Sequence, residues 1–211
     1  MEVDRTLFIK QFNLGILVVQ IYVNEIVFGS TTSDHVEEFF SQMKKEFEMN
    51  MVGELTYFLG LQVKQMENGI FVNQSKYVKS LVKRFGLDSV KHMRIPMGTN
   101  TKLTICDNGS IVDPILYKSM IGNLLYLIAS RLDICFGVGV CARYQVNPKE
   151  SHLAVIKQII CFGSGKINDG IWYTNDTNSS LTGYSDADWA ENVMIEKSTT
   201  RGLNRIKFLS P

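Results

Sequence analysis

The sequence predicts an α+β fold. Two pairs of apolar segments close on short polar turns within residues 16–74, and a helical stripe follows each pair. Three further helices fill most of 115–161 before strands return in the tail. The first pair spans 16–30 (ILVVQIYVNEIVFGS): an Ile/Val-rich run, then Asn24-Glu25, then Ile26-Val27-Phe28. It reads as two strands joined by a tight turn, with residues 24 and 25 facing outward and Gly29 ending the second strand. From Ser33 to Met49, the residues Val36, Phe39, Phe40, Met43 and Phe47 fall at helical spacing. Ser33 is the expected N-cap, and Asp34, Glu37 and Glu38 precede Lys44 and Lys45, the order that the helix dipole favours. Residues 55–74 flank Glu67-Asn68-Gly69, and Asn-Gly between such runs predicts a type I′ hairpin with positive φ at both central residues. Ser75 to Phe85 carries one apolar stripe (Tyr77, Val78, Leu81, Val82, Phe85), and Gly86 is its expected C-terminal cap.

Residues 87–114 contain Pro96, Gly98, Asn100, Asp107, Asn108, Gly109 and Pro114, and read as a linker or long loop and a candidate boundary. The run Ile115–Ala129 is apolar over most of its circumference, which predicts a buried helix. A second helix, Asp133–Tyr144, is weakened by Gly137 and Gly139. The third, Glu150–Cys161, follows Pro148 and carries Leu153, Ile156, Ile159 and Ile160. Gly170–Thr174 and Leu181–Asp186 read as strands, and no internal repeat is visible.

Composition excludes several function classes. The 211 residues hold 22 Lys plus Arg against 21 Asp plus Glu, a formal net charge of +1. That balance argues against a polybasic chain, so any nucleic-acid contact has to come from a local basic face. With 45% hydrophobic residues, one large or two small globular domains are expected, not wholesale disorder. The apolar runs fall short of the ~20 residues that span a bilayer. The N-terminal MEVDRTLFIK lacks the basic-then-apolar pattern of a secretory signal, so an intracellular chain without a membrane partner is expected. Cys106, Cys135, Cys141 and Cys161 lack CxxC spacing and read as buried, reduced thiols. His35, His92 and His152 show no metal-ligand spacing.

Tyr22-Val23-Asn24-Glu25 between two strands resembles the YVDD turn of reverse transcriptases. The surrounding text is similar to the Pol polyprotein of plant Ty1/copia-type LTR retrotransposons. The similar segments are VVQIYVNEIVFGST (18–31), KEFEMNMVGELTYFLGLQV (45–63), GIFVNQSKYVKSLVKRFG (69–86), IPMGTN (95–100), LYKSMIGNLLYLIASRLDI (116–134), NPKESH (147–152), GIWY (170–173) and GYSDADWA (183–190). They follow the family's order over nearly the whole chain. The resemblance implies a partial palm with the active-site hairpin over 1–66, and a primer-grip hairpin and thumb helix over 67–95. It further implies a linker and helical connection over 96–175, and the first strands of an RNase H-like domain over 176–211.

It also implies an RNA-directed DNA polymerase that works with two Mg²⁺ ions. The family holds them with three Asp carboxylates, one on an upstream palm strand and two in the turn. Here the turn offers Asn24, a neutral amide, and Glu25, whose extra methylene moves its carboxylate by about 1 Å. Only 21 residues precede Tyr22, and Asp4–Phe8 resembles the text just before the family's hairpin, so the third carboxylate is expected to be absent. Two dications held close together need anionic oxygens around them. The expectation is therefore an inactive polymerase without a bound cofactor, with Glu25, Asp186 and Asp188 as weak metal candidates. Asp186 matches the first carboxylate of the RNase H-like motif and Asp188 follows two residues on; the further acids that the motif needs are not expected before Pro211. Two more departures are Leu132, where the family commonly has Pro, and Gln158–Gly165, where Gly163 and Ser164 should fray the helix early.

One basic feature remains. Lys76, Lys79 and Lys83 lie at i, i+3 and i+7 on the helix after the second hairpin, and Arg84, Lys91 and Arg94 extend the stripe. Such a face follows a duplex backbone through phosphate contacts; the plainer alternative is ordinary solvated helix charge. The expected partner is an RNA–DNA or DNA duplex, bound weakly and salt-dependently, with other Pol fragments as further partners. A co-opted, non-catalytic nucleic-acid-binding or interaction module is the alternative function.

Overall fold

The computed structural model describes residues 4–98, 101, 103–104 and 109–174, and the backbone of two strands at 183–188 and 199–204. The chain divides into two units, Met1–Leu55 and Thr56–Pro211.

The first unit is an antiparallel sheet, β1 (Leu7–Phe12), β2 (Gly15–Tyr22) and β3 (Glu25–Ser30), followed by α1 (Ser33–Glu46). The sequence reading did not include β1. Its register places Phe8 and Phe28 on either side of Val19, so the three strands share one apolar face. Helix α1 lies over that face, with the Phe39 ring 5.0 Å from the Phe28 ring. Coverage is thin: Leu17 and Val19 are the buried apolar residues of this unit among those described, and α1 buries none of its own. The N-cap is Thr32, not Ser33, and it makes no side-chain cap bond. Its hydroxyl is engaged 2.7 Å from His35 Nδ1, and His35 stacks on Phe12 at 3.7 Å.

In the second unit the sheet order is β4-β5-β6-β7, all antiparallel: β4 (Tyr57–Phe58), β5 (Leu61–Met66), β6 (Gly69–Asn73) and β7 (Gly170–Thr174). Between β6 and β7 run α2 (Ser75–Arg84), α3 (Pro114–Leu127), α4 (Cys135–Ala142) and α5 (Glu150–Gly165). The β5–β6 hairpin forms, but Met66 pairs with Gly69, so the loop is Glu67-Asn68 and the expected type I′ centre at Asn68-Gly69 is displaced by one residue. Gly69 has φ 151°, and a Cβ there would run into the Tyr173 carbonyl oxygen; it is glycine because β7 comes close. The turn with positive φ at both central residues is the previous one, Leu59 (φ 48°) and Gly60 (φ 78°) between β4 and β5. The Tyr126 hydroxyl of α3 donates to the Leu59 carbonyl.

Capping explains where the helices stop and start. After α2, Gly86 has φ 63°, its N–H donates to the Lys83 carbonyl, and Leu87 N–H donates to the Val82 carbonyl at 3.0 Å. The Asp113 carboxylate accepts the Ile115 N–H at 2.9 Å and Pro114 opens α3. Contrary to expectation, α5 does not fray at Gly163 and Ser164. Gly163 is buried against Leu127, its carbonyl accepts from Arg131, and Ser164 Oγ donates to the Cys161 carbonyl at 2.9 Å. Tertiary partners override the low helix propensity there.

The core is helical. Val78 and Leu81 of α2 join Tyr117, Met120, Leu124 and Leu127 of α3, Val138 and Cys141 of α4, and Ile156, Ile159 and Ile160 of α5. Leu87 is buried in the same cluster and Met97 packs against it, so the chain after α2 covers the helices. Cys141 and Cys161 are buried free thiols, whereas Cys135, at the first position of α4, is exposed; the expectation of buried thiols fails there. Cys106 lies outside the described residues. Strands β8 (Gly183–Asp188) and β9 (Thr199–Asn204) pair antiparallel. The expected strand Leu181–Asp186 is described from Gly183 on, its first two residues lying outside the described residues, and β9 was not among the expected strands. Among the described residues no helix is long and apolar enough to cross a membrane.

Candidate functional site

The hairpin turn follows from the β2–β3 register. Tyr22 pairs with Glu25, which makes Val23-Asn24 the two-residue loop and Glu25 the first residue of β3. The tip is therefore residues 23 and 24, one place earlier than the sequence suggested. Val23 takes φ 53°, a left-handed conformation that is costly for a β-branched residue, and it is 87% exposed. Ile21 and Ile26 line the cleft beneath α1, so alternation places Tyr22 and Glu25 on the opposite sheet face. Tyr22, Asn24 and Glu25 are all exposed.

These donors do not fit a pair of Mg²⁺ ions. Asn24 presents a neutral amide and Glu25 a single carboxylate. Among the described residues no three His, Cys, Asp or Glu side chains converge as a metal site. Each hard dication asks for anionic oxygens in near-octahedral geometry. Asp186 and Asp188 occupy β8 opposite Arg201 and Thr199 of β9 in the backbone register; their side chains lie outside what the structure describes.

The basic stripe is built on α2. Val78 and Leu81 anchor the helix in the core, which turns Lys76, Lys79, Lys83 and Arg84 outward, all exposed. Among the described residues no carboxylate lies within ion-pair distance of these four. Arg84 donates to Ser119 Oγ at 3.5 Å. At the other end, Gln62 of β5 reaches over the start of the helix. Its Oε1 accepts from Ser75 Oγ at 2.7 Å and from the Lys76 N–H at 2.8 Å, satisfying an orphan donor of the first turn. Tyr57 pairs with Gln62 across β4–β5, and the Lys76 ammonium sits 5.7 Å from the Tyr57 ring centre. Sequence reasoning missed Tyr57 and Gln62 because both sit inside a run read only as strand, and the turn at Leu59-Gly60 that sets them opposite each other was not foreseen.

The sequence also gave no role to a buried polar group. Arg131 is 1% exposed and donates to both carboxylate oxygens of Asp133 at 2.9 and 2.7 Å and to the Lys166 carbonyl at 2.9 Å. Beside it, buried Ser130 donates to Gln74 Oε1 at 2.8 Å, and Gln74 Nε2 donates to the Tyr126 carbonyl at 3.3 Å. This network ties the end of α3 to the end of α5 and the start of α2, and reads as architecture. His152 is likewise consumed: its Nδ1 accepts the Lys149 N–H at 3.1 Å, so Nε2 donates to the Thr104 carbonyl at 3.0 Å.

The family model for reverse transcriptase (RNA-dependent DNA polymerase) matches residues 1–99. The retrovirus-related Pol polyprotein from transposon RE1 of Arabidopsis thaliana is 30% identical over 187 residues, which cover 89% of this chain and 13% of the polyprotein. That from transposon TNT 1-94 of Nicotiana tabacum is 24% identical over 208 residues, 93% of this chain and 16% of the polyprotein. An uncharacterized mitochondrial protein of Arabidopsis thaliana is 25% identical over 180 residues, 85% of this chain and 75% of that protein. The chain thus spans a small part of the transposon polyproteins that it matches, and no solved structure matches it. Residues 1–99, which include the hairpin turn and α2, thus match the reverse transcriptase family, and most of the chain is similar to part of the Pol polyproteins of copia-type plant retrotransposons.

Proposed function

We propose that the chain is a catalytically silent copy of a copia-type reverse transcriptase, whose remaining activity is weak, salt-sensitive binding of an RNA–DNA or DNA duplex along α2. In this reading 1–66 correspond to palm, 67–95 to primer grip and thumb, 96–175 to linker and connection, and 176–211 to the start of an RNase H-like segment. The observation that carries the loss of catalysis is Asn24: the hairpin tip holds a carboxamide where two-metal chemistry requires a charged oxygen. A further carboxylate from any source would still leave that position neutral. What supports duplex binding is the row of exposed, carboxylate-free lysines on a helix anchored in the core.

The test uses the full chain with an RNA–DNA hybrid. Binding should weaken as salt rises, with a log–log slope of about −2 to −3 for roughly three phosphates neutralised. The combined variant Lys76→Gln, Lys79→Gln, Lys83→Gln should flatten that slope. Salt-independent binding, or a slope unchanged in the variant, overturns the interface. Mg²⁺-dependent extension of a primer by the pure chain overturns the loss of catalysis.

A second reading is a co-opted interaction module, favoured by the interior of the second unit. Among the described residues no buried side-chain nitrogen or oxygen lacks a hydrogen-bond partner, as expected of a stably folded body.

A further inference from the structure

Duplex phosphates explain the lysines but not the aromatic ring beside them. Tyr57 is 54% exposed on the short edge strand β4. Three contacts fix it relative to the cations. The β4–β5 register sets it opposite Gln62, Gln62 clasps the first turn of α2, and that clasp brings the Lys76 ammonium to within 5.7 Å of the ring centre. The β4–β5 turn is also tied down, because the Tyr126 hydroxyl donates to the Leu59 carbonyl. Lys64, two residues beyond Gln62 on β5, is exposed and on the same strand face as Gln62. An exposed, positioned aromatic ring beside a row of cations is the arrangement that binds single strands: the cations follow the phosphates and the ring stacks on a base.

We infer that the α2 face takes single-stranded nucleic acid in preference to duplex, with one unpaired base stacked on Tyr57 and the adjoining phosphates on Lys76 and Lys79. The inference rests on the phosphate-binding reading of α2 and deepens it. In a duplex the bases are already stacked on one another, so Tyr57 has no free base face to meet. In a single strand the ring and the lysines act together. Stacking needs the phenyl ring and not the hydroxyl, so phenylalanine should replace Tyr57 without loss.

Anisotropy of a labelled single-stranded oligonucleotide and of a labelled RNA–DNA hybrid, with the full chain at low ionic strength, tests this directly. The single strand should bind more tightly. Tyr57→Ala should weaken it by about 5- to 100-fold, the span expected for one stacked base, while leaving the hybrid within about 2-fold. Tyr57→Phe should match the unmodified chain, which controls for loss of fold. Equal affinity for the two ligands, or the same loss for both in Tyr57→Ala, overturns the stacking site and leaves the phosphate face standing. No salt-sensitive binding of either ligand overturns both.

Discussion

Val23 carries a cost that its neighbours do not relieve. A left-handed conformation costs a residue with a Cβ about 1–2 kcal/mol, and φ is 53° here with the side chain in solvent. Glycine takes that conformation freely, so Val23→Gly should stabilise the first unit by about 1 kcal/mol, read as a higher denaturant midpoint. Loss of stability would show that the turn relaxes in solution. Two buried acids set a pH limit on the second unit. Burial pushes the Cys141 thiol up to about 12 and the Tyr117 phenol higher still; that phenol donates to the Cys141 carbonyl at 2.8 Å. Both groups hold their protons more tightly folded than unfolded. Their contribution is complete below about pH 9, the ordinary thiol value, and falls as pH rises towards 12. Stability followed against pH should decline through that window, and Cys141→Ala should shallow the decline.

Elements were most legible where a single local rule decides them. The helices over 33–46 and 75–84 follow their apolar stripes, that over 114–127 follows its apolar circumference, and Gly86 closes α2 as its position suggested. Where long-range partners decide, the sequence misled. Gly69 looked like a turn glycine and is instead a contact with β7, about a hundred residues away in the chain. Gly163 looked like a helix breaker and is held by Leu127 and Arg131. For the site, the lysines were visible from spacing, but Tyr57 and Gln62 gained meaning only when β4, β5 and α2 came together. The junction of α3 and α5 yields a prediction of its own. Arg131 is almost completely buried and its main charged partner is Asp133, so Asp133→Ala leaves an uncompensated guanidinium. Denaturant unfolding should show a loss of about 3–5 kcal/mol. Arg131→Lys should not be tolerated either, since one ammonium cannot reproduce the planar fork. A change under 1 kcal/mol for Asp133→Ala would mean that the pair is solvated.

At the scale of the molecule, the two units differ in how much they bury. The second holds a contiguous core drawn from four helices, with Tyr117, Leu124, Leu127 and Ile156 wholly buried. The first buries Leu17 and Val19 under a helix that buries nothing of its own. Local opening free energy tracks buried contacts, so amides of β1–β3 and α1 should exchange well before those of α3 and α5. Uniform protection across both units would contradict this. The β2–β3 hairpin, which the proposed function reads as the degenerate catalytic turn, thus sits in the less buried unit and carries the neutral Asn24 at its tip. The most direct measurement is Mn²⁺ titration of isotope-labelled chain, following paramagnetic broadening of the amides of Val23, Asn24 and Glu25. No saturable broadening is expected at the turn, and it should appear when Asn24→Asp and Glu25→Asp are combined. Saturable, site-specific broadening in the unaltered chain, with two ions bound beside the turn, would contradict the loss of catalysis.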